Sequence, residues 1–281
     1  MRSFDRRVVE ARADAFVREH RFTIAVVFPV VGLALLVAGR EGLLPGVLAF
    51  NPALILFGTV VMRLPLLVGL LPTVDRRAAA GLLALVGFTY AIELVGLATG
   101  LPYGEFTYLV SLGPMLPGGV PLGLPVFFLP LVLNAYLLVL LLSGPTADRG
   151  PVRLGAALGT LLAVDLVLDP AAVAIGFWAY ADGGAYYGVP ASNYAGWLLT
   201  GGVAVALVDR SFRRPRLTRR LTRCEFVLDD LVSFLILWGG VNAYYGNWVP
   251  VALAAAGFAG LLQADRFDFA VLRPWAPLPR R

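Results

Sequence analysis

Long apolar runs alternate with short polar connections along most of the chain. The runs fall near residues 22–39, 47–71, 80–98, 121–143, 154–176, 194–209, 229–246 and 248–264. Each approaches the roughly 17–25 residues that an α-helix needs to cross a bilayer. The pattern predicts an all-α, polytopic integral membrane helical bundle of about eight transmembrane helices, spanning residues 22–264. Ahead of it, Phe4, Val8, Ala11 and Ala15 recur at helical spacing within an Arg-rich stretch. That predicts an amphipathic cytoplasmic segment over 1–21, lying on the membrane surface or as a solvated helix. Residues 265–281 read as a cytoplasmic tail. The first apolar run starts at Phe22, behind a long charged stretch, and is long enough to span, so no cleavable signal peptide is expected.

The distribution of arginine orients the bundle. Arg2 to Arg21, Arg76 and Arg77, Arg149 and Arg153, Arg210 to Arg223, and Arg266 to Arg281 fall in alternate connections, together with both termini. The opposite connections carry only Arg40. Basic residues favour the cytoplasmic side, so both termini are expected there, in a multi-pass protein of the cell membrane. Composition agrees. With 59% hydrophobic and 15% charged residues, the apolar excess does not fit inside one soluble core of 281 residues. The Arg210 to Arg223 segment reads as a loop touching anionic lipid headgroups, since no nucleic-acid recognition module accompanies it. The single Cys224 excludes an intramolecular disulfide and a thiolate metal cluster, and the single His20 excludes a His-rich metal site.

Carboxylates inside the apolar runs change this picture. Glu93, Asp165 and Asp169 each sit in a predicted span, where an ionised group is costly and usually faces a bundle interior or cavity. From a rise of about 1.5 Å per residue, they should lie about 20, 17 and 23 Å from the cytoplasmic ends of their helices. Asp165 and Asp169 are four apart, hence on one helical face. Pro170 should kink that helix and free a carbonyl beside it. Asn134 is another polar group at mid-membrane depth, and Arg63 either snorkels to the surface or neutralises one carboxylate. Beyond the acids lie two segments dense in Gly, Pro and aromatic residues, Thr99 to Tyr108 and Trp178 to Trp197, carrying Glu105, Asp182 and Asn193. Tyr244 and Tyr245 fit an aromatic belt at the lipid boundary.

A carboxylic acid in a low-dielectric pocket favours its neutral form, so one acid can deliver a proton while a neighbour stays ionised as base. That division suits proton-initiated chemistry on an apolar substrate. A structural polar network between helices is the competing explanation for the same acids. The DLVLD run from Asp165 to Asp169 also has the DxxxD spacing that holds magnesium diphosphate in intramembrane prenyltransferases. Its only counterpart, Asp265 and Asp268, falls at the far end of the last helix.

The run ELVGLATGLPYGEFTY from Glu93, the DxxxDPA of Asp165 to Ala171 and the YYGVPxxNYxGW of Tyr186 to Trp197 together resemble the CruF-type carotenoid hydratases. These are integral membrane enzymes that add water to the terminal double bond of acyclic carotenoids, and their archaeal branch includes the bisanhydrobacterioruberin hydratases. The resemblance covers roughly residues 80–200. Tyr180 stands where it leads one to expect a second Trp near Trp178, which bears on pocket shape and leaves the acids intact. It implies a hydro-lyase that protonates the alkene to a tertiary carbocation, using no metal and no redox cofactor, on a carotenoid held within the bilayer among membrane lipids and other carotenoid-pathway enzymes. On this reading Glu93 or Asp165 gives the proton, and Asp169 or another carboxylate orients and deprotonates the water. Tyr103, Glu105, Tyr108, Trp178, Tyr180, Tyr186, Tyr187, Asn193 and Trp197 line the substrate site, their aromatic faces stabilising the cation. Another isoprenoid enzyme, a cyclase or prenyltransferase, and a proton-coupled transporter remain as alternatives.

Overall fold

A computed structural model of the protein describes residues 6–264. Phe4, the segment 265–281 and its Asp265 and Asp268 therefore lie outside the described residues. Within them the chain forms ten α-helices: α1 (Arg6–Glu19), α2 (Phe28–Arg40), α3 (Pro52–Leu70), α4 (Arg76–Thr99), α5 (Leu124–Leu142), α6 (Gly150–Ile175), α7 (Ala191–Ser211), α8 (Arg214–Arg223), α9 (Asp229–Tyr244) and α10 (Trp248–Gln263). Two three-residue strands, β1 (Phe106–Tyr108) and β2 (Trp178–Tyr180), interrupt the otherwise helical architecture.

Local sequence explains where the helices begin and end. Asn51 caps α3 by accepting from the N–H groups of Ala53 (3.0 Å) and Leu54 (3.2 Å), with Pro52 in the first turn. Asp75 caps α4 through the Ala78 N–H at 3.0 Å. Gly100 and Gly176 end α4 and α6 with φ of 73° and 77°, a left-handed conformation that glycine adopts without a Cβ penalty. A turn of π-helix, Thr23–Val27, extends α2 into one span from Thr23 to Arg40.

Eight helices coincide with the eight predicted runs, but they are not equivalent. Six segments are long and apolar enough to cross a membrane: Thr23–Arg40, Pro52–Thr73, Arg76–Thr99, Leu124–Leu142, Gly150–Ile175 and Ala191–Ser211. Helices α9 and α10 have 16 residues each, about 24 Å at the helical rise, against a hydrocarbon core of about 30 Å. Helix α5 is the most buried of the six spans, and α6, α7, α4, α3, α9 and α10 pack on it. Small residues let some of these helices approach closely. A Cβ on Gly81 of α4 would stand 1.7 Å from Ser211 Oγ of α7.

The Arg-bearing connections meet at one end of the bundle. Arg6 donates to the carbonyls of Leu71 (2.8 Å) and Val74 (3.0 Å), and Arg213 pairs with Asp75 at 3.2 Å. Arg220 pairs with Asp14 at 2.7 Å, Arg214 with Asp148 at 3.7 Å, and Arg18 with Glu225. On α1 the predicted stripe of Val8, Ala11 and Ala15 stays exposed, while Val17 is the residue buried against the bundle. The other end gathers the connections that hold β1 and β2. There Tyr245 donates to Glu41 at 3.0 Å, and Tyr187 Oη accepts the Val249 N–H at 3.3 Å.

A candidate site of acids and aromatic rings between the helices

Glu93 lies six residues before the end of α4 and Asp169 six residues before the end of α6. Because the helices start at Arg76 and Gly150, the acids stand about 26 Å (Glu93), 23 Å (Asp165) and 29 Å (Asp169) along them. That is about 6 Å farther from the Arg-rich end than the apolar runs alone suggested. The chain then leaves both helices through glycines and returns in the two strands. These pair antiparallel, with Phe106 opposite Tyr180, Thr107 opposite Ala179 and Tyr108 opposite Trp178. The ladder continues through Leu109 N–H to the Phe177 carbonyl and Ala181 N–H to the Glu105 carbonyl, both 2.9 Å. Alternation in a strand sends every second side chain to one face. Phe106, Tyr108, Trp178 and Tyr180 accordingly all line one cavity, while Thr107 is exposed.

That cavity has an empty volume of about 930 Å³, counting its open mouth. Its polar groups are few. Tyr108 Oη donates to Glu93 Oε1. Asp169 Oδ2 accepts from Tyr180 Oη at 3.2 Å and from Asn193 Nδ2. The same Asn193 amide donates to Asp165 Oδ2 at 3.3 Å, so it bridges the two aspartates. Among the described residues, none of the three acids is bonded to a basic side chain. The rest of the wall is apolar. Trp197 stacks on Phe128 with ring centres 5.3 Å apart, Tyr108 meets Trp178 edge-on at 6.3 Å, and Phe177 meets Trp238 at 5.9 Å. Tyr103 is buried, its hydroxyl held by Thr200 Oγ1 at 3.1 Å.

Most of the predicted site residues converge here. Glu93, Asp169, Tyr103, Tyr108, Trp178, Tyr180, Asn193 and Trp197 line the cavity. Asp165 is fully buried behind Asn193 and does not reach the wall. Glu105 is exposed on the outer side of the strand pair, and Asp182 is exposed beyond it. Tyr186 and Tyr187 also lie outside. Pro170 has no N–H to give the Leu166 carbonyl four residues back, and the Tyr186 hydroxyl supplies that hydrogen bond at 3.2 Å. Helix α6 thereby continues through Pro170 to Ile175. Tyr187 is held in the left-handed region at φ 50° by its own turn.

Arg63 also reaches the cavity, and its partner is an acid that the sequence did not single out. Its Nη1 donates to Asp230 Oδ1 at 2.5 Å, and Asn134 Nδ2 donates to Asp230 Oδ2. Arg63 thus neutralises a carboxylate, but one at the start of α9 rather than any of the three in the acid cluster. The aromatic walls Phe106, Phe128, Phe177 and Trp238 were missed as well. Phe106 alone carried a signal, since FTY and WAY share an aromatic period of two. Among the described residues no group of three His, Cys, Asp or Glu side chains is placed to hold a metal ion; the DxxxD motif contributes two acids.

The fold and the cavity define an α-helical membrane protein built around a buried pocket of acids and aromatic rings. The chain belongs to the carotenoid biosynthesis protein family, which it matches over residues 50–261, a stretch containing every residue of the cavity. It is 64% identical over 259 residues to the bisanhydrobacterioruberin hydratase of Haloarcula japonica, an alignment covering 92% of this chain and 88% of that protein. No solved structure matches the chain.

Proposed function

We propose that this protein is a carotenoid hydratase that adds water across the terminal carbon–carbon double bond of an acyclic carotenoid, with bisanhydrobacterioruberin as its substrate. The observation that carries the reading is the pairing of Glu93 and Asp169 with tyrosines of one strand pair, inside a cavity otherwise walled by aromatic and aliphatic side chains. An apolar polyene end fits such a wall, and only a few fixed polar groups touch it.

The reaction follows from the two acids. A proton from Glu93 adds to the less substituted alkene carbon, breaking the π bond and leaving a tertiary carbocation. Tyr108 holds one Glu93 oxygen and leaves the other for the proton. The faces of Tyr103, Trp178 and Trp197 stabilise the cation electrostatically. Water then forms the C–O bond and gives its proton to Asp169, whose Oδ2 is held by two donors while Oδ1 is left for the water. Between turnovers that proton passes back to Glu93. The addition is redox-neutral and proton-neutral, so the chemistry calls for no redox cofactor and no transmembrane proton flow.

In this reading the protein is a multi-pass protein of the cell membrane with eight crossings and both termini in the cytoplasm. The convergence of the Arg-bearing connections on one end of the bundle supports that orientation. The carotenoid enters from the bilayer, where neighbouring pathway enzymes make and use it.

The test is mass spectrometry of pigments from cells that make an acyclic C50 carotenoid and express this chain. Gain of one water per reacting end is expected. Glu93→Gln and Asp169→Asn should each slow conversion about 10²–10⁴-fold, the usual share of general acid–base catalysis. Unchanged mass with altered retention indicates a cyclase instead. Untouched pigment in the presence of folded protein overturns the assignment.

A further inference from the structure

Among the described residues, three buried side-chain atoms have no hydrogen-bond partner: Asn134 Oδ1, Asp165 Oδ1 and Tyr194 Oη. The last two belong to one place. Asp165 on α6 is tied to Asn193, the residue before Tyr194 on α7. Tyr194 packs edge-on against Tyr186 at 5.8 Å, and Tyr186 is bonded to the carbonyl of Leu166, next to Asp165. A carboxyl oxygen of α6 and a phenol hydroxyl of α7 are thus both buried without a partner where Asn193 ties the two helices together. Buried polar groups almost always have a partner, and where protein supplies none it is commonly an ordered water.

We propose that Asp165 and Tyr194 hold the water molecule that the reaction consumes, in a small polar site behind Asp169. Tyr194 donates to the water oxygen and the water donates to Asp165 Oδ1. The inference rests on the hydratase reading and deepens it, because a cavity walled by aromatic and aliphatic groups is a poor place to keep water next to a polyene. From this site the water passes Asn193 to Asp169. There its oxygen bonds to the tertiary carbocation and one O–H proton transfers to the Asp169 carboxylate. The three acids then divide into a donor, Glu93, a base, Asp169, and a water holder, Asp165.

Tyr194→Phe removes one hydroxyl and keeps the ring that packs on Tyr186. The variant is expected to lower kcat at least tenfold with KM for the carotenoid unchanged, a split that a packing defect in the substrate cavity does not give. Infrared difference spectra of the substrate-free protein in H₂¹⁶O and H₂¹⁸O supply a readout independent of activity. A bound-water O–H band should be present in the wild type, absent in Tyr194→Phe and shifted in Asp165→Asn. Wild-type kcat in Tyr194→Phe, or a water spectrum indifferent to both substitutions, overturns the proposal. If the wild type shows the band yet hydrates no acyclic carotenoid, the water site stands and the hydratase assignment fails.

Discussion

Gly196 fixes how far Tyr103 projects into the cavity. A Cβ at that position would stand 2.6 Å from Tyr103 Cδ1 and 3.0 Å from the Pro102 carbonyl. The ring is 7% exposed and tied at both ends, by Thr200 to its hydroxyl and by Ser192 to its carbonyl. Its other edge faces Gly96 of α4, where a Cβ would stand 3.3 Å from Cδ2, and the ring lines the cavity between them. Gly196→Ala should cost about 1–3 kcal/mol of stability by overpacking and slow carotenoid conversion as well. Thermal unfolding in detergent and pigment analysis measure the two effects. Gly202→Ala is the comparison, since its Cβ would meet only Leu158, at 4.0 Å. An unchanged Gly196→Ala protein shows that Tyr103 does not shape the pocket. The sequence displayed such residues unevenly. Glu93, Asp165 and Asp169 stood out because an acid in an apolar run is costly to bury. Phe128 and Trp238 did not, since an aromatic in a membrane helix packs against lipid or protein equally well.

At the scale of elements, helices were legible and strands were not. Apolar runs of spanning length mark helices whatever surrounds them. Three residues of strand have no such autonomy, and Phe106–Tyr108 and Trp178–Tyr180 exist because α4 and α6 deliver them side by side. The Tyr186 contact was hidden for a related reason: Pro170 announced a freed carbonyl, but nothing in sequence said which hydroxyl would satisfy it. The start of α4 offers a test at this scale. The Ala78 N–H, and more weakly the Arg213 guanidinium, hold the Asp75 carboxyl below the usual carboxylate range. A depressed folded value means that the charge adds stability fully above the unfolded value of about 3.9, and that this is lost as pH falls through the folded value. Asp75→Asn keeps a good capping residue and removes only the charge. The wild type should therefore be the more stable protein at neutral pH, with the difference closing in acid. Equal stability across the whole range would show that the charge contributes nothing to the cap.

At the scale of the whole molecule, arginine spacing and the folded chain agree on which connections share one end of the bundle. Arginine spacing predicted alternate connections on one side, and the folded chain brings those connections together through Arg6, Arg213, Arg214 and Arg220. What the spacing did not show is that α9 and α10 are short. Asp229 and Asp230 begin α9 buried, paired with Arg21 and Arg63. The hydrophobic run therefore starts with two neutralised charges inside the protein rather than at a lipid surface. A short helix resting on such pairs need not match the bilayer by its own length, because its neighbours shield its polar end. Cysteine labelling tests the arrangement. Cys224 is buried and is the single cysteine of the chain, so Cys224→Ala gives a clean background. Leu43→Cys and Asp182→Cys, both exposed at the strand-bearing end, should react with a membrane-impermeant thiol reagent on intact cells. Arg149→Cys and Arg223→Cys, exposed at the Arg-rich end, should react only after the cells are opened. Labelling of all four on intact cells would break the alternation at α7 or earlier, and with it the proposed outward placement of the acid cavity.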